Sequence, residues 1–211
     1  IPRTPDMKVI SGVWALCRKR YPDGHIRKLK TRYCARGFEQ IEGYDYFETH
    51  SPVVMWMSVR LLLVMSILLN LETSQIDYTV AFVHAPIDCL VYVEAPIGFR
   101  TQIGDEDMVW KLHKSLYGLC QSPCNYFLYT KEKLISMGFK QSIADPCVFM
   151  SADVICLVYV DNILTFYKNK SAMEALKSRM LNDGMLFREE DSVAGYLGVS
   201  ILIVVMTLQF I

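Results

Sequence analysis

The sequence has no net charge, and this removes the simplest sign of a nucleic-acid-binding protein. Its 211 residues contain 22 basic and 22 acidic side chains, so the whole-chain balance gives no support for a polyanionic partner. No internal repeat or low-complexity tract is apparent. The length is enough for one large domain, or two small subdomains, with a real hydrophobic core.

The sequence also lacks a set of zinc ligands and a secretory signal. Only Cys120 and Cys124 lie close together among its seven cysteines, and no second pair with histidine completes a zinc site. We interpret the thiols as buried or incidental ones in a reducing compartment, and we expect no small organic cofactor. Because the chain begins at Ile1 without methionine, we expect a fragment whose missing targeting signals mean little.

Basic residues are concentrated near the N-terminus, although the chain is neutral overall. Between Arg18 and Arg36 there are eight basic residues against one acidic residue, Asp23. The stretch surrounds a turn signal at residues 22–24 and follows a short strand at residues 14–17, so it predicts a hairpin with basic arms. These arms could face phosphates, or they could be a solvated hairpin surface.

Two β-prone runs each contain an aspartate. Residues 157–164 are typical of a strand, a tight turn at Asp161 and Asn162, and a second strand. Residues 75–83 predict another strand with Asp77 near its start. Two carboxylates at adjacent strand ends suit a divalent cation used in phosphoryl or nucleotidyl transfer. The alternative is that each aspartate is an ordinary turn or strand-end residue.

Two helices are predicted in the middle of the chain. Residues 57–69 are almost wholly apolar, with Arg60 as the only charge, and this predicts a buried helix. A second helix is predicted from Pro123 to about Met137, with Gly138 as its stop signal.

A third helix is predicted over residues 171–181, with Ser171 as N-cap and Glu174 at the capping-box position. The uncharged C-terminal segment, residues 193–211, could form a membrane helix. Its β-branched residues and glycines favour instead a core strand and an apolar end, so we do not expect membrane insertion. Further strands are predicted at residues 91–94, 109–112, 148–150, 154–160 and 195–201.

Five sequence blocks carry a resemblance to a known family. They are KTRYCARGF (30–38), FETHSPV (47–53), QIDYTVAF (75–82), KSLYGLCQSP (114–123), and GFKQSIADP (138–146) leading to YVDN (159–162). Each block is weak alone, but five in this order and spacing are specific. Together they resemble the reverse transcriptase domain of copia-type retrotransposon polyproteins, from about Trp14 to Ile201, with a non-matching apolar tail at residues 202–211.

The resemblance implies an α+β right-hand polymerase fold with fingers and palm, in which an antiparallel palm sheet is backed by helices. The fingers would comprise about residues 1–50 and 87–123, and the palm about residues 51–86 and 124–201. We expect the thumb and the ribonuclease H domain to be missing.

The resemblance also implies catalytic residues. Asp77 matches the family's first catalytic carboxylate, and Asp161 matches the first aspartate of its Tyr-x-Asp-Asp turn. In such enzymes two Mg²⁺ (or Mn²⁺) ions bridge the primer 3′ hydroxyl and the incoming triphosphate. The implied partners are an RNA or DNA template-primer and dNTPs.

Five positions are implied to bind the nucleotide. Lys30 and Arg32 would hold triphosphate oxygens, Phe82 would reject a 2′ hydroxyl, and Gln121 and Tyr159 would line the pocket. The alternatives are simple core packing for Phe82 and a helix-entry surface position for Gln121.

The sequence departs from the family at several positions. Asn162 replaces the second aspartate and removes a negative charge, so we expect impaired or absent polymerisation. We interpret the chain as a decaying genomic copy with a foldable palm. Other departures are residues 83–85 in place of Leu-Asn-Gly, Cys120 and Cys124 in place of basic residues, Tyr126 in place of tryptophan, and residues 165–167 without the expected glycine.

Two other interpretations stay open. One is a non-catalytic nucleic-acid-binding remnant that uses basic residues 18–36, and the other is a tail-anchored, membrane-associated fragment. Family logic implies particles in the cytoplasm and later the nucleus, but the sequence carries no address of its own.

Overall fold

The computed structural model describes residues 1–21, 23–96, 98–99, 108–190, 195–196 and 199–200. This part of the chain contains both helices and sheets, which confirms the predicted α+β class. Contacts divide the chain into a first unit, residues 1–52 and 80–133, and a second unit, residues 53–79 and 134–211. The assignment of fingers and palm stays a prediction.

Short strands make up most of the regular elements, and longer helices separate groups of them along the chain. The helices are α1 (Trp56–Leu68), α2 (Ser122–Ser136) and α3 (Lys170–Asn182). The strands are β1 (Val9–Ile10), β2 (Gly12–Arg20), β3 (Ile26–Ala35), β4 (Glu72–Tyr78), β5 (Tyr92–Glu94), β6 (Val109–Lys111), β7 (Lys140–Gln141), β8 (Val148–Met150), β9 (Val154–Tyr159), β10 (Asn162–Tyr167), β11 (Phe187–Glu190), β12 (Gly195–Tyr196) and β13 (Val199–Ser200).

The first unit contains a long hairpin and a small mixed sheet. Strands β2 and β3 pair antiparallel, and Gly24 in their connection has a φ of +89°, so the predicted basic hairpin is confirmed. Strand β5 lies between β1, to which it is parallel, and β6, to which it is antiparallel. The core of this unit contains Ile10, Ala35, Val91, Val93 and Leu119.

Two of the sequence blocks meet in the first unit at a pair of glycines. The amide of Ala35 donates to the carbonyl oxygen of Tyr117 at 2.8 Å. A Cβ added at Gly37 would lie 2.1 Å from the Gly118 carbonyl oxygen, and one added at Gly118 would lie 2.1 Å from the Ala35 carbonyl oxygen. Gly118 also has a φ of +91°, so both positions require a residue without a side chain.

The second unit is built on a six-stranded antiparallel sheet in the order β11-β4-β10-β9-β8-β7. Helix α3 packs against β10. Apolar side chains of the central strands are fully buried, which makes this sheet a rigid base. The most buried of these are Ile76, Leu157, Ile163, Leu164 and Phe166.

Strand β4 is shorter than its sequence pattern predicts. It ends at Tyr78, and residues 81–84 form a short 3₁₀ helix, so the predicted strand over residues 75–83 is wrong beyond Tyr78. The chain turns because the amide of Thr79 donates to the Leu186 carbonyl oxygen and Val80 adopts a left-handed φ of +56°.

Helix α1 is confirmed as a helix, but its predicted burial is wrong. Only Val59, Leu62 and Ser66 are buried. Six large apolar residues of the helix are exposed, because a helix that is apolar all round cannot present every face to one core. They are Trp56, Met57, Leu61, Val64, Ile67 and Leu68.

The remaining element predictions are mixed. Helix α2 and the stop at Gly138, which has a φ of +90°, are confirmed. Helix α3 begins at Lys170 with Asn169 as N-cap and without a side-chain capping hydrogen bond, so the prediction of a Ser171 cap is wrong.

The predicted strand over residues 195–201 is instead a pair of two-residue strands, β12 and β13, which pair antiparallel. The rest of the apolar tail lies outside the described residues. Within the described part of the chain, no helix combines the length and apolarity needed to cross a bilayer.

Candidate active site

Asp77 lies on an inner strand of the six-stranded sheet. Its Cα partner on β10 is Asn162, and its Cα partner on β11 is Arg188. Asn162 is in turn the partner of Tyr159 on β9. Directly opposed residues of antiparallel strands project to the same face. The register therefore sets these four side chains in a row across one face of the sheet.

Asp161 lies in the tight turn between β9 and β10. Val160 and Asp161 form the turn and Asn162 begins β10, so the predicted strand–turn–strand is confirmed, with the turn one residue earlier than expected. The amide of Tyr78 donates to the Asp161 carbonyl oxygen at 2.7 Å. This bond ties the turn to the end of β4, beside Asp77.

Two side-chain amides connect β4 to this turn. The Gln75 Nε2 donates to the Asn162 Oδ1 at 3.1 Å. The Asn162 Nδ2 lies 3.5 Å from the Asp161 Oδ1 and is oriented to donate to it. The NH₂ group of Gln75 thus points toward Asn162, and the NH₂ group of Asn162 points toward the Asp161 carboxylate.

Sequence reasoning missed Gln75 and Arg188. Gln75 stands in a β-prone run and gives no signal of its own, since only the register shows that it reaches Asn162. Arg188 follows α3 in a short polar stretch, and its relation to Asp77 depends on β11 joining the sheet beside β4. Only a strand predicted at residues 187–190 could have indicated that Arg188 lies in the sheet.

The residues of this face fit a divalent cation only in part. Asp77 and Asp161 supply the carboxylate oxygens that hard cations prefer. Asn162, however, directs its amide nitrogen toward Asp161, and Arg188 adds a positive charge opposite Asp77. No group of three or more His, Cys, Asp or Glu side chains suited to a metal ion occurs among the described residues.

The first unit brings together the predicted triphosphate-binding residues. Lys30 and Arg32 line a cavity of about 260 Å³, together with Val80, Val83 and Tyr117 among others. The Arg32 guanidinium lies 5.0 Å from the centroid of the Tyr117 ring. This cation–π contact with Tyr117 favours one position of the Arg32 guanidinium.

Phe82 packs beside this cavity. Its ring centroid lies 4.9 Å from that of Tyr117 and 5.9 Å from that of Tyr126, the latter edge-to-face. Phe82 is half-buried, so it takes part in aromatic packing and is still partly accessible. Its role toward a sugar stays a prediction.

Gln121 is fully buried, so the alternative of a surface position is wrong. Its Oε1 accepts a hydrogen bond from the Gln40 Nε2 at 2.9 Å, and its Nε2 donates to the Asp45 carbonyl oxygen at 3.0 Å. The same Nε2 lies 3.4 Å from the Cys89 Sγ. Both ends of the amide are therefore engaged within the protein, and nucleotide contact stays a prediction.

One protein family matches nearly the whole chain. Residues 2–209 match the family described as reverse transcriptase (RNA-dependent DNA polymerase). The match continues past Ile201, where the resemblance was expected to end.

Several retrotransposon polyproteins are similar to the chain. It is 36% identical over 169 residues to the retrovirus-related Pol polyprotein from transposon TNT 1-94 of Nicotiana tabacum, covering 78% of this chain and 13% of that protein. It is 34% identical to the retrovirus-related Pol polyprotein from transposon RE1 of Arabidopsis thaliana, covering 78% and 12%. It is 28% identical to the transposon Ty1-BL Gag-Pol polyprotein of Saccharomyces cerevisiae, covering 82% and 9%. The chain thus spans a small part of these relatives.

Proposed function

The chain belongs to the reverse transcriptase (RNA-dependent DNA polymerase) family, and from this premise we propose that it is the fingers and palm of a retrotransposon polymerase with an impaired nucleotidyl-transfer centre. The second unit corresponds to the palm and the first to the fingers. The register of β4 and β10 carries the proposal, because it sets Asp77 opposite Asn162 beside the Asp161 turn.

Asp77 and Asp161 are the proposed ligands of Mg²⁺ or Mn²⁺. When bound, such ions lower the pKa of the primer 3′ hydroxyl and stabilise the charge of the triphosphate. The protein's own task is to hold the two carboxylates still. The buried strands β4 and β10 and the hydrogen bond from Tyr78 to the Asp161 carbonyl oxygen support that task.

Lys30 and Arg32 are the proposed contacts to the triphosphate of an incoming dNTP. Both line the same cavity, and the stacking of Arg32 on Tyr117 limits the positions that its guanidinium can adopt. Phe82, which packs on Tyr117, is the proposed barrier to a 2′ hydroxyl. Gln121 supports this region from the interior through its bonds to Gln40 and Asp45.

The centre is impaired because a carboxylate is missing. An amide at position 162 offers a neutral oxygen where the family has an anionic one. The negative charges of Asp77 and Asp161 are then partly offset by the positive charge of Arg188. This leaves less negative charge than a pair of divalent cations requires.

Primer extension on an RNA template tests the proposal. The chain and its Asn162→Asp variant would each be grafted into an intact relative and assayed with Mg²⁺ and with Mn²⁺. We expect the variant to extend the primer at least about 100-fold faster, as for the loss of one transition-state-stabilising group. Asn182→Asp is the control, because it makes the same chemical change at the exposed end of α3. Normal extension by the Asn162 graft would refute impairment.

A second function, nucleic-acid binding without catalysis, is favoured by the hairpin of β2 and β3. Lys19 lies directly opposite Lys28, and Lys30 and Arg32 alternate onto the same face. Like charges in direct opposition destabilise a hairpin, and a phosphate backbone would relieve that repulsion. This face therefore suits a polyanion.

Salt-dependent binding of a primer–template tests the second function. Replacing Lys19 and Lys28 together by Gln should weaken binding and reduce the slope of log affinity against log salt by about two. Replacing the exposed Lys140 and Lys168 by Gln is the matched control and should leave the slope unchanged. Equal slopes for the two double variants would exclude the hairpin as the binding surface.

A further inference from the structure

We propose that Gln75 is a positioning residue for the side chain at position 162. Its hydrogen bond determines whether an oxygen or an NH₂ group of that side chain faces the carboxylates of Asp77 and Asp161. The inference rests on the proposed function, because it concerns the same site. It goes further in assigning a role to a residue outside the carboxylate set.

The position of Gln75 carries the first step. It lies two residues before Asp77 on β4, on the same face of the sheet, and diagonally across from Asn162. The residue is only 5% exposed, so the orientation of its side chain is restricted by the surrounding sheet. The donor end of its amide lies 3.1 Å from the Asn162 Oδ1.

The acceptor end of Gln75 carries the second step. Its Oε1 is buried and has no hydrogen-bond partner among the residues that the structure describes. A buried amide oxygen without a partner is costly, and an apolar side chain of similar size would fill the space without that cost. Packing alone therefore does not account for a glutamine here, whereas the contact of its donor end with position 162 does.

The effect of this donor depends on the residue that receives it. An aspartate at position 162 would accept the Gln75 N–H with one oxygen and keep the other for a cation beside Asp161. Asn162 accepts the same N–H with its only oxygen, so its NH₂ group is left facing Asp161. An NH₂ group repels a cation. Gln75 thus supports cation binding by an aspartate and opposes it with the present asparagine.

Four proteins test whether the effect of Gln75 on cation binding changes sign with the residue at position 162. They are the chain, Gln75→Met, Asn162→Asp, and the variant with both changes. Binding of Mn²⁺ alone would be measured by the loss of the free-ion electron paramagnetic resonance signal, with unfolding followed by circular dichroism. In the Asn162→Asp background, Gln75→Met should weaken Mn²⁺ binding by about 10- to 100-fold, as expected for a residue that orients a ligand. In the unchanged background it should strengthen binding, because Asn162 becomes free to turn its oxygen toward Asp161.

Thr73→Val is the matched control, since Thr73 lies on the same strand and face but is paired with Phe166 instead of Asn162. It should change Mn²⁺ binding in neither background. Gln75→Leu repeats the test if the methionine variant loses its cooperative unfolding transition. Loss of that transition in both variants would overturn the proposal, because Gln75 would then be needed for folding.

The possible outcomes separate this inference from the proposed function. If Asn162→Asp increases Mn²⁺ affinity and Gln75→Met removes the increase, both stand. If the increase survives Gln75→Met, the positioning role is excluded and the proposed metal site stands. If Asn162→Asp adds no Mn²⁺ affinity, the proposed metal site fails and the positioning role fails with it.

Discussion

At the scale of single residues, Val160 has an unusual backbone. Its φ is +48°, within the left-handed region that β-branched residues rarely adopt. The turn is held in this conformation by the pairing of β9 with β10 and by the hydrogen bond from Tyr78 to the Asp161 carbonyl oxygen. Strained backbone of this kind occurs preferentially at functional sites, and here it lies directly before Asp161.

We expect Val160→Asn to raise the free energy of unfolding by about 1 kcal/mol, because asparagine enters the left-handed region at a lower steric cost. Urea denaturation followed by circular dichroism would measure the change. Val53→Asn is the control, since Val53 is also exposed but has no positive φ, and it should stay within about 0.5 kcal/mol. A lower unfolding free energy for Val160→Asn would mean that contacts of the valine side chain outweigh its backbone strain.

Residue identity alone predicted part of the candidate site. Asp77 and Asp161 could be selected because a carboxylate in an apolar β-prone run is unusual. Gln75 and Arg188 could not, because neither residue type is unusual in a strand. Their relation to the site arises from the register of β4 with β10 and with β11, which depends on pairing between distant segments.

At the scale of elements, α1 shows why composition predicts that a segment is helical more readily than it predicts which face of the helix is buried. Leucine and methionine favour helix at any exposure, and the apolar run has the length of a helix. The face that meets the core depends on neighbouring elements, and here Leu62 is buried whereas Leu61 is 59% exposed. Adjacent residues of the same type thus differ in environment.

We expect Leu62→Ala to lower the free energy of unfolding by about 2–4 kcal/mol, because it removes buried methyl groups and leaves a cavity. Leu61→Ala is the matched control and should stay within about 0.5 kcal/mol, as for most surface changes. The two variants change helix propensity equally, so their difference in urea denaturation measures burial alone. Equal losses would show that the exposed face of α1 is covered in solution.

Element ends were harder to predict than element types. Ser171 has the residue type of an N-cap, but Asn169 takes that position because its carbonyl oxygen accepts hydrogen bonds from the amides of Ala172 and Met173. The β-prone run after Asp77 similarly continues beyond Tyr78, yet the chain leaves the strand where the Thr79 amide bonds to Leu186. In both cases a contact made by the backbone decides the boundary.

At the scale of the whole molecule, the α+β class and the family could be predicted because they depend on the order of many segments. The division into two units could not be read from composition. One boundary falls between Thr79 and Val80, and another falls within α2, between Lys133 and Leu134. A continuous helix carries no linker signal, so contacts alone identify the boundary.

The cysteines provide a reporter for each unit. Cys124 is buried in the first unit, and Cys147 and Cys156 are buried in the second. Burial raises the pKa of the Cys147 thiol to about 12, and it raises the pKa of the Cys124 and Cys156 thiols as well. The thiolate is the reactive form. These three thiols should therefore stay unmodified until their unit opens.

We expect iodoacetamide at neutral pH to modify the exposed Cys17 first and to leave Cys124, Cys147 and Cys156 protected, as mass spectrometry of peptides would show. The same labelling in concentrated guanidinium chloride is the control, and there all seven cysteines should react. Native labelling of Cys124 at the rate of Cys17 would mean that the first unit does not fold. The same result at Cys147 and Cys156 would mean that the second unit does not fold. The proposed impairment would then be a defect of folding before it is one of the residue at position 162.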